Sequence, residues 1–424
     1  MSTVVRRPAN SGLNSGNRRL LGLIVVATFF EGYDRAILGL ALKYIGSDLR
    51  VGEDQLGTPL ALIGLGSIAA IVVAVSADRF GRSRMLLVTV LGYTVSTLLT
   101  ALSRSTSELV VWQFFSRVFV SAELSIATDV VAEILPAASR AYGVGTVGAV
   151  AALGYGFASL MFVGVEHYPF GWRFLYLVGI APLFVIAYLR RGLPETDRWL
   201  RVRQERPAGP ALRGILTPLV RMVGTHPARF VSLALVAFLF RFSWEPGYTF
   251  VPYFAQTKHG LTSGSVAMMY SLGGALGIVG GILGGKMSDR MGRRPIGTVC
   301  FVVLVVSLCA YYNGPRGLLL PAWIGMVTFG SAASIMILSY STELFSTSYR
   351  ASAATVIAAI GTAGGSVGLF VEGFGVRALG STGGAVTALS VSLVPATLVF
   401  LMACPETSQR ELEQISADPV GDLE

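Results

Sequence analysis

Gly285-Lys286-Met287-Ser288-Asp289-Arg290-Met291-Gly292-Arg293-Arg294 is a short, strongly basic stretch wedged between two long apolar runs. Its D-R-x-G-R core occurs a second time as Asp78-Arg79-Phe80-Gly81-Arg82, and Asp289 follows Asp78 by 211 residues. A soluble protein has little use for such a turn twice. In a membrane protein a loop this polar cannot cross the bilayer and stays on the cytoplasmic side. The fixed spacing further implies that the chain is one unit written twice.

The composition agrees. Of 424 residues, 53% are hydrophobic and 13% charged, well below the quarter that is ordinary for a globular domain. Lipid is the solvent this implies. The formal charge of +9 falls in short clusters between apolar runs instead of one patch, so topology explains it better than a nucleic-acid partner does. Cys300, Cys309 and Cys404 have neither metal-ligand nor disulfide-framework spacing and behave as small apolar residues. No metal and no cofactor is expected. At the N-terminus Arg6, Arg7, Arg18 and Arg19 precede the apolar run Leu20 to Leu42. That run is too long for a signal-peptide core, so it is taken as an uncleaved first spanning helix.

Runs long enough to span occur near 20–42, 57–77, 85–103, 108–130, 141–164 and 172–193. A second set occurs near 229–254, 265–287, 295–312, 318–341, 350–372 and 383–403. Twelve spans from a basic N-terminus place both chain ends on one side. By this topology 23 of the 33 lysines and arginines lie on that side, 7 on the other and 3 inside helices. The positive-inside rule makes the richer side cytoplasmic, in a multi-pass plasma (inner) membrane protein. Ser105-x-x-Glu108 has the form of a capping box at the start of the fourth helix.

Other landmarks keep the offset. Glu133 and Arg140 recur as Glu343 and Arg350, 210 residues on, and Leu193-Pro194-Glu195-Thr196 recurs as Cys404-Pro405-Glu406-Thr407. The reading is an all-α membrane protein of two six-helix bundles, 1–197 and 229–424, joined by a proline- and arginine-rich linker, 198–228. Such a parallel repeat places a substrate site between the halves near mid-membrane.

On these motifs the chain resembles a major facilitator superfamily transporter over roughly its whole length. The second turn matches that family's G-x-x-x-D-R-x-G-R-R pattern, and the first departs from it at Ala74 and Ser83. The resemblance implies a gating role for Asp78, Arg79, Gly81, Arg82, Gly285, Asp289, Arg290, Gly292 and Arg293. Glu133, Arg140, Glu343 and Arg350 join them, and the simpler alternative is a set of topogenic charges. It also implies alternating access by a chain that works as a monomer with a small-molecule substrate and protons as partners.

Ionisable groups in the hydrocarbon zone are functional candidates by default. The first helix carries Glu31, Asp34 and Arg35, the fourth Arg117, Glu123 and Asp129, the seventh Arg241 and Glu245. At 1.5 Å per residue Asp34 lies about 22 Å from Arg19, and Arg117 and Glu245 each about 24 Å from Glu133 and Arg229. Asp34 and Glu245 are equivalent acids, 211 residues apart. Gly32-Tyr33-Asp34 resembles the first-helix motif of aromatic-acid and metabolite proton symporters and of sugar porters, where the aspartate is implicated in coupling. Asp34, Glu31 and Glu245 are therefore the proton-coupling candidates. An Arg35–Glu31 pair, four apart, would leave Asp34 free to titrate. Substrate candidates are Tyr33, Arg35, Arg117, Glu123, Arg241, Trp244 and Tyr248. Three arginines could bind an anion, but the acids outnumber them, which leaves the charge preference weak. Trp244 and Tyr248 could stack on a planar substrate where Pro246, Gly247 and Pro252 are expected to bend the seventh helix.

Gly273, Gly277, Gly281 and Gly285 form a small-residue stripe, read as packing at the rocking interface. The fifth helix lacks the Gly-Pro of drug antiporters and the seventh the paired glutamines of sugar porters. The expectation is a proton-coupled importer of a small organic metabolite, a carboxylate or aromatic acid favoured. A proton-driven exporter and a non-transporting membrane sensor are the alternatives. An enzyme is not expected, since no nucleophile, metal cluster or phosphate loop is evident.

Overall fold

The computed structural model describes residues 15–191, 195, 199–200, 227–345 and 350–408, and the side chains of 15–17, 137–138, 140–141, 144 and 351 lie outside the description. The linker expected at 198–228 therefore falls almost wholly outside it. All regular structure among the described residues is helical.

The first half comprises α1 (Ser15–Leu40), α2 (Gly57–Phe80), α3 (Arg82–Leu102), α4 (Thr106–Ile134), α5 (Ala137–Phe162) and α6 (Trp172–Arg190). The second comprises α7 (Pro227–Thr249), α8 (Ser263–Met291), α9 (Arg293–Asn313), α10 (Leu319–Glu343), α11 (Arg350–Leu379) and α12, which runs as Thr382–Ser390 and Leu393–Ala403. Eleven helices among the described residues are long and apolar enough to cross a membrane. The twelfth, α1, is set apart by its own charges, because any eighteen-residue window of it holds at least three of Arg18, Arg19, Glu31, Asp34 and Arg35. It is nevertheless a full member of the fold. Val72, Leu160, Val306 and Met402 are each more than half exposed. Such outward apolar side chains match lipid, whereas in water they would make a large exposed patch.

Helix packing repeats from half to half. In the first, α1 lies on α5, α2 on α4, and α3 on both α4 and α6. In the second, α7 lies on α11, α8 on α10, and α9 on both α10 and α12. The halves meet through α2 against α11 and α5 against α8, which are again equivalent pairs.

Local departures have local causes. At Pro252, which has no N–H to give, α7 gives way to a separate segment, Val251–Thr257. A matching break after Leu40 starts Leu42–Asp48, and the two short segments pack together. The capping box at α4 forms in modified form. Glu108 N–H donates to Ser105 Oγ (3.2 Å), while the Glu108 carboxylate accepts from the Arg104 N–H (2.8 Å). The α8 glycine stripe does not serve the rocking interface in the way its spacing suggests. Of its members, Gly285 has open space beside it, while Gly273, Gly277 and Gly281 face Trp323, Val327 and Ile335 of α10, as Gly280 and Gly284 beside them face Thr328 and Ala332. They let two helices of one bundle approach closely.

Candidate functional site

Between the halves lies a cavity of about 1100 Å³. Arg35 from α1, Arg117 from α4, and Arg241 and Glu245 from α7 supply its charged lining, so three arginines face one carboxylate. Arg241 Nη1 pairs with Glu245 Oε2 at 3.2 Å, one helical turn apart. Arg35 does not pair with Glu31. Its Nη2 donates to Ser121 Oγ (3.2 Å), whose hydroxyl donates to Ser67 Oγ (3.1 Å), so α1, α4 and α2 are laced together at cavity level.

One wall is aromatic. Trp244 and Tyr248, one turn apart on α7, have ring centroids 5.4 Å apart, and Tyr248 continues to Tyr270 at 5.8 Å and Trp323 at 5.4 Å. Trp244, Tyr248 and Tyr270 line the cavity, while Trp323 backs them and donates its Nε1–H to the Met269 carbonyl (2.9 Å). A cluster fixed in this way offers flat faces to a planar ligand with little rotamer entropy left to lose.

The remaining candidates lie behind this surface. Asp34 is 5% exposed and accepts from Ser116 Oγ at 3.3 Å through Oδ2, while Oδ1 has no partner. It does not line the cavity. Arg117 does line it, and its electrostatic neighbours are Arg35, Tyr155, Glu245 and the buried Asp34. No ion pair of Arg117 with either acid forms among the described residues. Tyr33 was a substrate candidate, but its ring turns into the first bundle, where the hydroxyl donates to the Leu175 carbonyl (2.7 Å). Beside it in the chain, Gly32 lets α1 lie against the backbone of α5 at Ala151.

Glu123 is likewise removed from the cavity. Arg190 Nη1 donates to its Oε1 (2.5 Å) and to the Leu86 carbonyl (2.8 Å), and Thr89 Oγ1 donates to its Oε2. Both partners are at most 2% exposed in their side chains. Glu31, buried with Oε1 unpartnered, belongs to the same cluster through Glu123 and Arg190. The expected excess of acids therefore disappears from the cavity surface, because two of them are drawn into an internal ion cluster around Arg190. In the sequence Arg190 stands near the end of its span, among the basic residues counted on the richer side.

At the ends bearing the basic turns, the repeated landmarks assemble into one device per half. Arg82 pairs with Asp78 (3.2 Å), Asp129 (3.1 Å) and Glu133 (3.0 Å). Arg293 pairs with Asp289 (3.2 Å) and Glu343 (2.7 Å). Gly81 and Gly292 have φ of +108° and +102°, conformations that disfavour any side chain. A Cβ at Gly292 would lie 2.8 Å from Glu406 Oε2. Glu406 closes the device, accepting from the Arg293 and Arg294 N–H groups (2.8 and 3.0 Å) at the start of α9. Glu195 does the same for α3, accepting from Ser83 and Arg84 N–H (3.0 and 3.2 Å). Burial pushes the Glu406 carboxyl upward, but backbone N–H donors, those of Ser408, Arg293, Arg294 and Thr407, outweigh it and hold the group below its ordinary value. Arg79 and Arg290 are exposed, Gly285 has open space where a Cβ would go, and Arg350 lies near Glu343. The side chain of Arg140 is outside the described residues.

At the end opposite the basic turns the halves are bonded to each other. Arg377 Nε meets Asp54 Oδ2 (2.9 Å), Thr382 donates to Glu53, and Ser263 Oγ donates to the Val163 carbonyl (3.0 Å). Every hydrogen bond and ion pair identified between the halves among the described residues lies there. The cavity reaches Gly148 and Ile282, toward the basic end.

A twelve-helix fold of two like halves around a charged central cavity is that of a secondary transporter. The chain matches the Major Facilitator Superfamily over residues 24–371, and it belongs to that family: it is a multi-pass integral membrane transporter, not an enzyme. It is 26% identical over 369 residues to the cis,cis-muconate transport protein of Acinetobacter baylyi, covering 81% of this chain and 87% of that protein. It is 28% identical over 189 residues to the gallate transporter of Pseudomonas putida, 44% of this chain and 41% of that protein. A solved D-xylose-proton symporter superposes with a TM-score of 0.75 at 16% identity, over 92% of this chain and 98% of that one.

Proposed function

We propose that the protein is a proton-coupled symporter of a small organic carboxylate, preferentially a planar or aromatic one. The lining of the central cavity carries this reading: three arginines against one carboxylate, beside a wall of Trp244, Tyr248 and Tyr270. An arginine fork suits a carboxylate bidentately, and the aromatic wall suits a ring or a conjugated chain. Two relatives whose names specify carboxylates, muconate and gallate, support the class.

Coupling follows from Arg117 lining the cavity while interacting electrostatically with the buried Asp34. With Asp34 ionised, the guanidinium is held toward it. When Asp34 takes a proton, that attraction is lost and Arg117 turns its full charge to the substrate anion. Proton and anion thus favour each other's binding, which is the thermodynamic content of symport. Glu245, the equivalent acid, holds Arg241 in the other half and can release it in the same way. The basic-turn face is assigned to the cytoplasm, with both termini there in the plasma (inner) membrane. The present arrangement, bonded at the outer end, is then inward-facing.

Uptake by proteoliposomes under an imposed inward proton gradient tests this, with muconate, gallate, a neutral sugar and a cationic compound as substrates. Carboxylates should accumulate. Asp34→Asn should abolish accumulation above equilibrium while leaving substrate exchange at equal concentrations. Undiminished proton-driven accumulation in Asp34→Asn removes the coupling role, and uptake confined to the sugar or the cation removes the carboxylate.

A further inference from the structure

The seam that closes the outer end contains a group the cavity chemistry leaves unused. Glu372 of α11 is 0% exposed, and neither carboxylate oxygen has a hydrogen-bond partner. It is pressed against the start of α2, where a Cβ added at Gly57 would lie 2.9 Å from Glu372 Oε2. From the turn before α2 it faces Glu53, from the start of α12 Thr382, from the segment after α7 Tyr253, and from α9 Tyr312. Thr382 gives its N–H and its hydroxyl proton to Glu53 Oε1 (2.8 and 2.5 Å). Arg377, further along α11, is committed to Asp54 (2.9 Å). The charged group that faces Glu372 is therefore another acid.

A carboxylate ion in such a place has no counter-ion, a like charge beside it and only the Thr382 hydroxyl, itself given to Glu53, close enough to offset its burial, and the balance favours the neutral acid. Glu372 also belongs to the α2–α11 contact that must part for the outer end to open, which would bring water to it. We propose that Glu372 is a second proton-binding site, occupied while the outer seam is closed and vacated as it opens. On opening, the carboxyl O–H bond breaks and its proton passes to the entering water, and closure reverses the step. Linkage sets the direction: a proton bound more tightly in the closed form favours closure, so low pH outside stabilises the inward-facing state and high pH releases it. The assignment needs neither the carboxylate substrate nor the role of Asp34, and its test contains no substrate.

Spin labels at Gln55→Cys and Leu379→Cys, exposed outer positions on the two halves, report the seam as a distance in the full-length reconstituted protein, with Cys300, Cys309 and Cys404 replaced by alanine. The long-distance population should grow about tenfold between about pH 5 and about pH 9. In Glu372→Gln, a permanently neutral mimic of the protonated acid, the distance should stay short throughout. Glu372→Asp, which keeps a titratable group, should restore the response. A distance in the parent that ignores pH, a response that persists in Glu372→Gln, or a flat Glu372→Asp would each overturn the proposal.

Discussion

Two arginines of the first bundle, Arg117 and Arg190, show how position decides what a buried charge does. Arg190 is locked by a carboxylate and two backbone carbonyls inside one bundle, whereas Arg117 lies at the cavity with its acids at a distance. Removing one partner of a buried pair strands the other's charge, at a cost of about 3–5 kcal/mol. Arg190→Ala should therefore lower the melting temperature in detergent sharply, with the substrate KM of whatever protein survives unchanged. Arg117→Gln should do the opposite, raising KM about tenfold or more through the loss of a charge-assisted contact with little change in melting. Uptake kinetics beside thermal unfolding separate the two. The ionisable residues of α1, α4 and α7 were visible in the sequence because charges stand out in apolar runs. Which of them face the cavity was not, because helical depth says nothing of rotation about the axis: Tyr33 and Glu123 lie at the right level and face elsewhere. Glu372 escaped notice at the edge of a span expected to end at 372, when α11 in fact continues to Leu379.

Among the elements, the two basic turns are close copies with unequal support. Arg82 is held by three acids and Arg293 by two. Asp289→Asn leaves Arg293 with Glu343 alone, whereas Asp78→Asn leaves Arg82 with both Asp129 and Glu133. Transport rates should fall further for Asp289→Asn, by a few-fold, since each exposed pair contributes no more than about 1 kcal/mol. A larger loss at Asp78 would show that the first turn, despite its departures at Ala74 and Ser83, carries the gate. The 211-residue offset made the turns and the P-E-T landmarks legible as a repeat. That Glu195 and Glu406 cap the helices opened by Gly81 and Gly292 was not legible, because each cap spans more than a hundred residues of chain and no local pattern announces it.

At the scale of the molecule, the twelve-helix architecture was readable from hydropathy and charge because lipid imposes both: apolar length to span, and basic loops kept to one side. The access state was not readable, since one sequence must fold into two arrangements whose difference lies in a few contacts between halves. Those contacts are here at the end opposite the basic turns, through Asp54 and Arg377, Glu53 and Thr382, and the seam around Glu372.

The paired caps have a consequence for how the chain is made. A half cannot finish the start of its third helix until its closing glutamate, Glu195 or Glu406, has been synthesised and folded back. Expressed as two polypeptides broken inside 201–226, the halves should each insert, co-purify and transport, and a requirement for the covalent link would show that assembly is not modular in this way.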